Sequence, residues 1–367
     1  MFFFSGAALL LYAVLSSPTP DGFTAVELVM ALLLIGAFGA KVAAKETLNF
    51  SVFLVFLVTL FLGLISARDI GAQFVRDLIA HVFLFVPVLV FSGIHCERSF
   101  GRFVDFLALC GGIISFRYLM ITGFSFGGFS SGESYTFDGF LKLNTDPLVT
   151  LAGSMFLYQL ARFINKKTLF NAVVGVGGLL AFFSVGSSGL RGPIAIVLVS
   201  NLLFLYTNRR SPLVIVIAML IFSVLVVYAS SYLSVMYDIF IDKMERAGSN
   251  EKLREFVHVF STAHGGVDVL LGDGFGAIVD LGGRSLAFTH SAASYYYAKT
   301  GIFGSVAIVI YLFIASRSIL QAMPLYLSFP FVAISFYGFW LNPHYKYLSL
   351  GYIFIAMMYA KSGRKGR

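Results

Sequence analysis

Apolar runs about as long as a bilayer is thick alternate with short polar breaks, from one end of the chain to the other. They lie near residues 2–17, 23–42, 50–66, 76–94, 103–122, 147–164, 169–186, 193–207, 212–236, 291–315, 318–340 and 345–361. A helix needs about twenty predominantly apolar residues to cross the hydrocarbon layer. The pattern therefore predicts an all-α polytopic membrane protein of about 12 transmembrane helices. Runs 2–17 and 193–207 are the shortest, and the first lacks the positive flank of a cleaved signal, so it reads as a short span. No internal repeat or low-complexity tract divides the series, and residues 1–367 read as a single transmembrane domain.

The polar breaks set the orientation. One set of alternate breaks carries Lys41, Lys45, Arg98, Arg102, Arg162, Lys166, Lys167, Arg209, Arg210 and Arg317, and the tail adds Lys361, Arg364, Lys365 and Arg367. Outside the loop at 236–290, the other set carries only Arg68, Arg76, Lys142, Arg191 and Lys346. The positive-inside rule then puts both termini in the cytoplasm. Two long loops face outward, at 123–146 and at 236–290, the second between the ninth and tenth predicted helices. Helical spacing runs from Asn250 to Leu271 in that second loop, and Asp273-Gly274-Phe275-Gly276 breaks it.

Composition agrees. The 367 residues are 58% hydrophobic and 12% charged, and a soluble chain of this length carries about twice that charged share. The net charge of +8 is scattered over short loops, which suits topology beside anionic lipid and argues against a nucleic-acid surface. Forty-one Phe and eighteen Tyr against one Trp suit lipid-facing and interfacial rings. Cys96 and Cys110 imply neither a disulfide nor a thiolate metal site.

Candidate chemistry gathers on the outward side. His290 stands where the second loop meets an apolar run. Counted at about 100° per residue, Ser294, Tyr297, Gly301 and Gly304 fall within about 40° of its direction, with Gly301 roughly 16 Å deeper. That face offers a polar head at the water boundary and a glycine patch, Gly301 and Gly304, where another helix can pack closely. His290 suits a general base, a metal ligand with His258 and His264, or a locally satisfied helix-start residue; the histidine spacings match no compact ligand pattern. Arg191, in Ser187-Ser188-Gly189-Leu190-Arg191-Gly192-Pro193, is a pyrophosphate clamp or an arginine snorkelling to lipid phosphate. Arg254 and Arg284 either reach the same anion or belong to a solvated loop helix with Glu251 and Glu255 as partners. Arg117, inside the fifth run, requires a partner or an anionic ligand. Lys299 falls about 180° from His290 and points elsewhere. Arg68, Asp69, Arg76 and Asp77 form an outward loop that can pair internally.

These residues resemble a family. His290-Ser291, nine residues, then Gly301-x-x-Gly304 is similar to the His-(Asn/Ser/Gln)-x9-Gly-x-x-Gly signature of O-antigen ligases and the related O-antigen and exopolysaccharide polymerases. Ser188-Gly189-Leu190-Arg191-Gly192 resembles that family's small-residue-Arg-Gly turn, and Leu271-Gly272-Asp273-Gly274-Phe275-Gly276 its glycine-rich stretch. Lys299-Thr300 departs from the pattern, because an acidic residue often precedes the first motif glycine.

The resemblance implies a lipid-linked-sugar (C-type) glycosyltransferase fold in the bacterial inner membrane, with a periplasmic active site and neither metal nor cofactor. The donor it implies is a glycan on undecaprenyl diphosphate. The acceptor is lipid A-core for a ligase, or a lipid-linked glycan for a polymerase. His290 would deprotonate or orient the acceptor hydroxyl, and Arg191, with Arg254, Arg284 or Arg117, would hold the diphosphate. Membrane lipids are the other partners, and nucleic acid is not one. A flippase or transporter of about twelve spans is the reading from a different class.

Overall fold

Backbone amides and carbonyls find no water inside a bilayer, so an apolar run must satisfy them within itself, which a helix does. The computed structural model of the chain is helical accordingly. It describes residues 2–16, 24–67, 70–91, 97–121, 146–187, 191–209, scattered positions from 212 to 223, 257–261, 266–280, 285–286, 291–340 and 347–359. The helices are α1 (Phe2–Leu15), α2 (Ala25–Ala43), α3 (Phe50–Ile65), α4 (Ala72–Phe91), α5 (Glu97–Ile121), α6 (Pro147–Ser154), α7 (Phe156–Asn165), α8 (Leu169–Ser187) and α9 (Arg191–Thr207). They continue as α10 (Gly266–Leu271), α11 (Ala292–Ala322), α12 (Leu325–Trp340) and α13 (Leu348–Tyr359). One two-residue antiparallel ladder, β1 (Val279–Asp280) on β2 (Ser285–Leu286), accompanies the helices, and the all-α class expected from the sequence stands.

Five helical stretches are long and apolar enough to cross a membrane: α2, α4, residues 101–121 of α5, residues 169–186 of α8, and α11. The bent pair α6–α7 passes the same test when its two helices are counted together as one span. The remaining apolar helices, α1, α3, α9, α12 and α13, run 10–17 residues by the same measure, short of the roughly twenty that a perpendicular crossing needs. The predicted run 212–236 lies almost wholly outside the described residues, as do the loop 123–146 apart from Asp146 and much of 236–290.

The chain divides into two units. The first holds Met1–Gly101, Glu251–Ala322 and Ser335–Arg367. In it α2 packs on α1 and α4, α13 on α4 and α11, and α3 and α10 on α11. Pro87, inside α4, leaves the Phe83 carbonyl without the helical N–H it would normally meet. Gly351 of α13 lies so close to the Phe83 and Leu84 carbonyls that a side chain there would strike them. Small-residue contact of this kind lets membrane helices approach backbone to backbone. At the end of α4, the buried Lys41 ammonium donates to the carbonyls of Leu89 (2.9 Å) and Val90 (3.2 Å), two acceptors that a helix terminus leaves open.

The second unit holds Arg102–Asn250 and Met323–Ile334. Asp146 caps α6 by accepting from the Leu148 amide at 2.7 Å, with Pro147 next to it in the first helical position. The chain then bends by 49° at Met155, and the cause is a side chain inserted into the helical ladder. In a regular helix the Leu157 amide would donate to the Gly153 carbonyl. Here Leu157 N donates to Asn201 Oδ1 (3.1 Å), and Asn201 Nδ2 donates to Gly153 O (2.9 Å), so one carboxamide from α9 splints the bend. Gly112 of α5 meets Gly177 of α8 at backbone distance, and Arg162 pairs with Asp105. Replacing Asn201 with Leu strips both backbone groups of their partner. We expect a loss of about 2–4 kcal/mol, measured by denaturant titration in mixed micelles, with Asn201→Gln recovering part of it.

Candidate functional site

The predicted residues fall unevenly. His290, Arg254 and Arg284 lie outside the described residues. Arg191 is the first residue of α9 and Ser187 the last of α8; residues 188–190 and the Arg191 side chain lie outside the description. Arg117 stands in the last turns of α5, half-buried. Among the described residues no group of three His, Cys, Asp or Glu side chains could hold a metal ion.

The motif around His290 is better defined from Ser291 onward. Ser291 is the N-cap of α11: its hydroxyl oxygen accepts from the Ala293 amide (3.2 Å), and the hydroxyl lies 3.4 Å from the Phe339 carbonyl. Tyr297, one of the residues counted onto the His290 face, stacks on Phe260 with ring centroids 4.0 Å apart. Val259 joins Tyr297 and Ala298 in a small buried cluster.

The unbroken face from His290 to Gly304 is corrected by Gly301. That residue has φ +62° and ψ −163°, which is not helical, so α11 is two helices joined at a kink. Beyond Thr300, 100° steps no longer report direction. The glycines also serve other purposes than a smooth patch. A side chain on Gly301 would strike Leu270 and Leu271 at the end of α10, whereas Gly304 leaves room for the Thr300 side chain across the kink.

The glycine-rich stretch folds onto the kink. Leu271 ends α10, and Gly272, at φ +77°, turns the chain left-handed as a helix C-cap does, its amide donating to Asp268 O at 2.8 Å. A Cβ on Gly272 would stand 2.5 Å from the amide nitrogens of Thr300 and Gly301. A regular helix would draw bonds across Gly301 from the carbonyls of residues 298 to 300. Two of those carbonyls accept from the glycine-rich stretch: Ala298 O from Asp273 N (2.7 Å) and Lys299 O from Gly274 N (3.1 Å). Phe275 N then donates to Gly63 O (2.8 Å), and the Phe275 ring fills the space where Gly63 of α3 lacks a side chain. Thus α3, α10 and α11 are bound through backbone.

A buried charge pair lies under this joint. Lys299 Nζ is 2.8 Å from Asp77 Oδ2, with side chains 1% and 0% exposed. The same carboxylate oxygen accepts from Gly276 N (2.8 Å), and the other accepts from Tyr295 OH (2.7 Å) and Gln73 Nε2 (2.9 Å). Lys299 also donates to the Ala277 carbonyl and lies 5.6 Å above the Tyr295 ring. Asp77 therefore belongs to α4 and pairs with α11, not within the outward loop as its sequence neighbours suggest; Arg76 turns to Gln73 Oε1 (3.3 Å). Around the pair lie aromatic contacts of Tyr295 and Tyr296 with Tyr347, and of His81 with Phe56, Phe275 and Tyr296. His81 reaches the Thr59 hydroxyl at 3.3 Å.

Sequence reasoning singled out the glycines and missed the pair. The signal was available: an acid and a base, each in an apolar run and distant in sequence, are expensive inside a membrane protein unless they meet. Compared with known proteins, the chain matches no family model, no curated protein and no solved structure. We expect Gly272→Ala to destabilise the first unit by more than about 2 kcal/mol, through both backbone conformation and collision. Gly175→Ala, in open space inside α8, should be neutral or slightly stabilising. Denaturant midpoints of the two variants check this.

Proposed function

We propose that the chain is a metal-independent, inverting membrane glycosyltransferase of the O-antigen ligase type, with about twelve spans and both termini cytoplasmic. It would move a glycan from undecaprenyl diphosphate to a sugar hydroxyl of lipid A-core at the periplasmic face of a bacterial inner membrane. One observation carries most weight: two glycine motifs behind the resemblance, far apart in sequence, interlock, with Gly272 against Gly301. Motifs that meet in this way act as one structural unit. Multi-pass apolar helices agree with a lipid-linked donor.

The chemistry needs little covalent help. The acceptor oxygen attacks the anomeric carbon, and the bond to the diphosphate breaks with the electron pair leaving on phosphate. His290 takes the hydroxyl proton. Arginine neutralises the departing diphosphate as its charge develops, with Arg191 matched to the family's turn and Arg254, Arg284 and Arg117 as further candidates. A polymerase would run the same reaction onto a lipid-linked repeat unit.

One feature favours a second reading. A broken helix over a buried Asp–Lys pair also suits a transporter or flippase of lipid-linked saccharide. Purified protein with a synthetic lipid-diphosphate glycan separates the two, because only a transferase joins donor to acceptor. His290→Ala and Arg191→Ala should each lower the transfer rate by about a hundredfold or more, and a chelator should leave it unchanged. Full activity in both variants would sink the assignment.

A further inference from the structure

Several helix ends of the second unit meet at one side. Tyr158 of α7 and Phe204 of α9 touch, with ring centroids 6.1 Å apart, and Tyr326 of α12 packs on both, at 6.4 and 5.6 Å. Both α7 and α9 end within two turns of that contact, α12 has just begun, and α8 starts soon after α7 stops. Arg162 of α7 pairs with Asp105, near the start of α5. The cations carried by these ends are Arg102, Arg162, Lys166, Lys167 and Arg209; the Arg162 side chain is 35% exposed and the other residues are exposed. Among the described residues of this unit the acids are Asp105 and Asp146. Arg162 takes the first, and the second caps α6 at the other end of the bent pair, so positive charge prevails here.

These cations stand on a fixed frame. The Lys166 carbonyl accepts from Thr168 N (2.9 Å) and Asn171 Nδ2 (2.8 Å), which closes the turn bearing both lysines onto α8. The Arg162 guanidinium lies 5.6 Å over the Tyr158 ring, and that of Arg209 5.4 Å over the Tyr206 ring. A helix C-terminus repels anions through its open carbonyls. In α9 two of them are occupied, Leu203 O by the Thr207 hydroxyl (2.7 Å) and Phe204 O by Asn208 Nδ2 (2.9 Å). Back along α9 from Arg209, one exposed face continues through Tyr206 (71%), Leu202 (61%) and Leu198, each a turn apart.

We propose that this end of the second unit binds an anionic phospholipid, its phosphate drawn to Lys166, Lys167 and Arg209 and an acyl chain laid along Tyr206, Leu202 and Leu198. Charge alone suits any phosphate. The apolar face that runs on from Arg209 selects a phosphate carrying a hydrocarbon chain. In the orientation proposed above, these ends lie at the cytoplasmic surface, where anionic lipid and clustered Lys and Arg attract one another. The lipid site does not depend on the transfer chemistry.

Removing Arg162 leaves Asp105 buried without its partner, and such a variant can fail to fold. The test variant is therefore Lys167→Gln/Arg209→Gln, at two exposed positions. Its control is Lys45→Gln/Arg317→Gln, at two exposed positions of the first unit that the positive-inside rule puts on the same side. Native mass spectrometry of the full chain, titrated in neutral detergent with phosphatidylglycerol or phosphatidylcholine, counts the lipids retained. The parent should hold phosphatidylglycerol at least about tenfold more tightly than phosphatidylcholine. The test variant should lose that preference and the control should keep it. Leu202→Ala/Tyr206→Ala, which leaves every charge in place, should weaken phosphatidylglycerol about threefold or more. A parent that holds both lipids alike, or a test variant that keeps the preference, overturns the site. Equal loss in test and control variants means attraction to the whole charged face, and overturns it too. Excess inorganic phosphate should leave the bound lipid in place. Displacement by phosphate, or unchanged binding in Leu202→Ala/Tyr206→Ala, means that the charges serve a soluble anion and overturns the lipid assignment.

Discussion

A carboxylate that has left water must be given back its hydrogen-bond donors, and in the first unit that demand falls on Asp77. Four groups meet it: the Gly276 amide, the Lys299 ammonium, the Tyr295 hydroxyl and the Gln73 carboxamide. An unpaired charge in this position would cost several kcal/mol, so the donors cannot drift far from it. Three come from outside α4, on two separate stretches of chain, and their placement fixes how α11 and the turn after α10 stand on that helix. The interlocked glycines follow, because backbone must come to backbone for the Gly276 amide to arrive.

The same accounting governs the second unit without any charge. There a helix is bent, and the two backbone groups that the bend separates are served by the carboxamide of Asn201. Lys41, in the first unit, does the equivalent for the end of α4. In each case a polar side chain in an apolar helix stands where a neighbouring backbone lost its regular partner. This is how irregular backbone is tolerated within helical membrane proteins.

The helices were legible because their signal is local and repeated: an apolar run of a given length has few alternatives to a helix. The break at Asp273–Gly276 was legible for a similar reason, since left-handed turns select glycine. The straight face through Gly301 was not. Glycine is common in membrane helices, and nothing local separates one that permits close packing from one that reverses φ. Asp77–Lys299 and Asn201 were hidden because each depends on contact between distant segments. A lone charge in an apolar run advertises the need for a partner but not which one. The residues expected to touch the substrate fall mostly in stretches outside the description, and for them the family resemblance remains the argument.

The kink at Gly301 has a mechanical consequence. At about 1.5 Å of rise per residue, the part of α11 after the kink, 302–322, extends roughly 30 Å, close to one hydrocarbon thickness. The part before it, 292–300, is a stub of about 13 Å held to α4 and the turn after α10. When a bilayer thins or thickens, long helices answer by tilting. A straight α11 would transmit that tilt along its whole length, swinging its N-terminal end through several ångströms. A helix broken at Gly301 can lean in the lipid while its N-terminal stub keeps its register on Asp77.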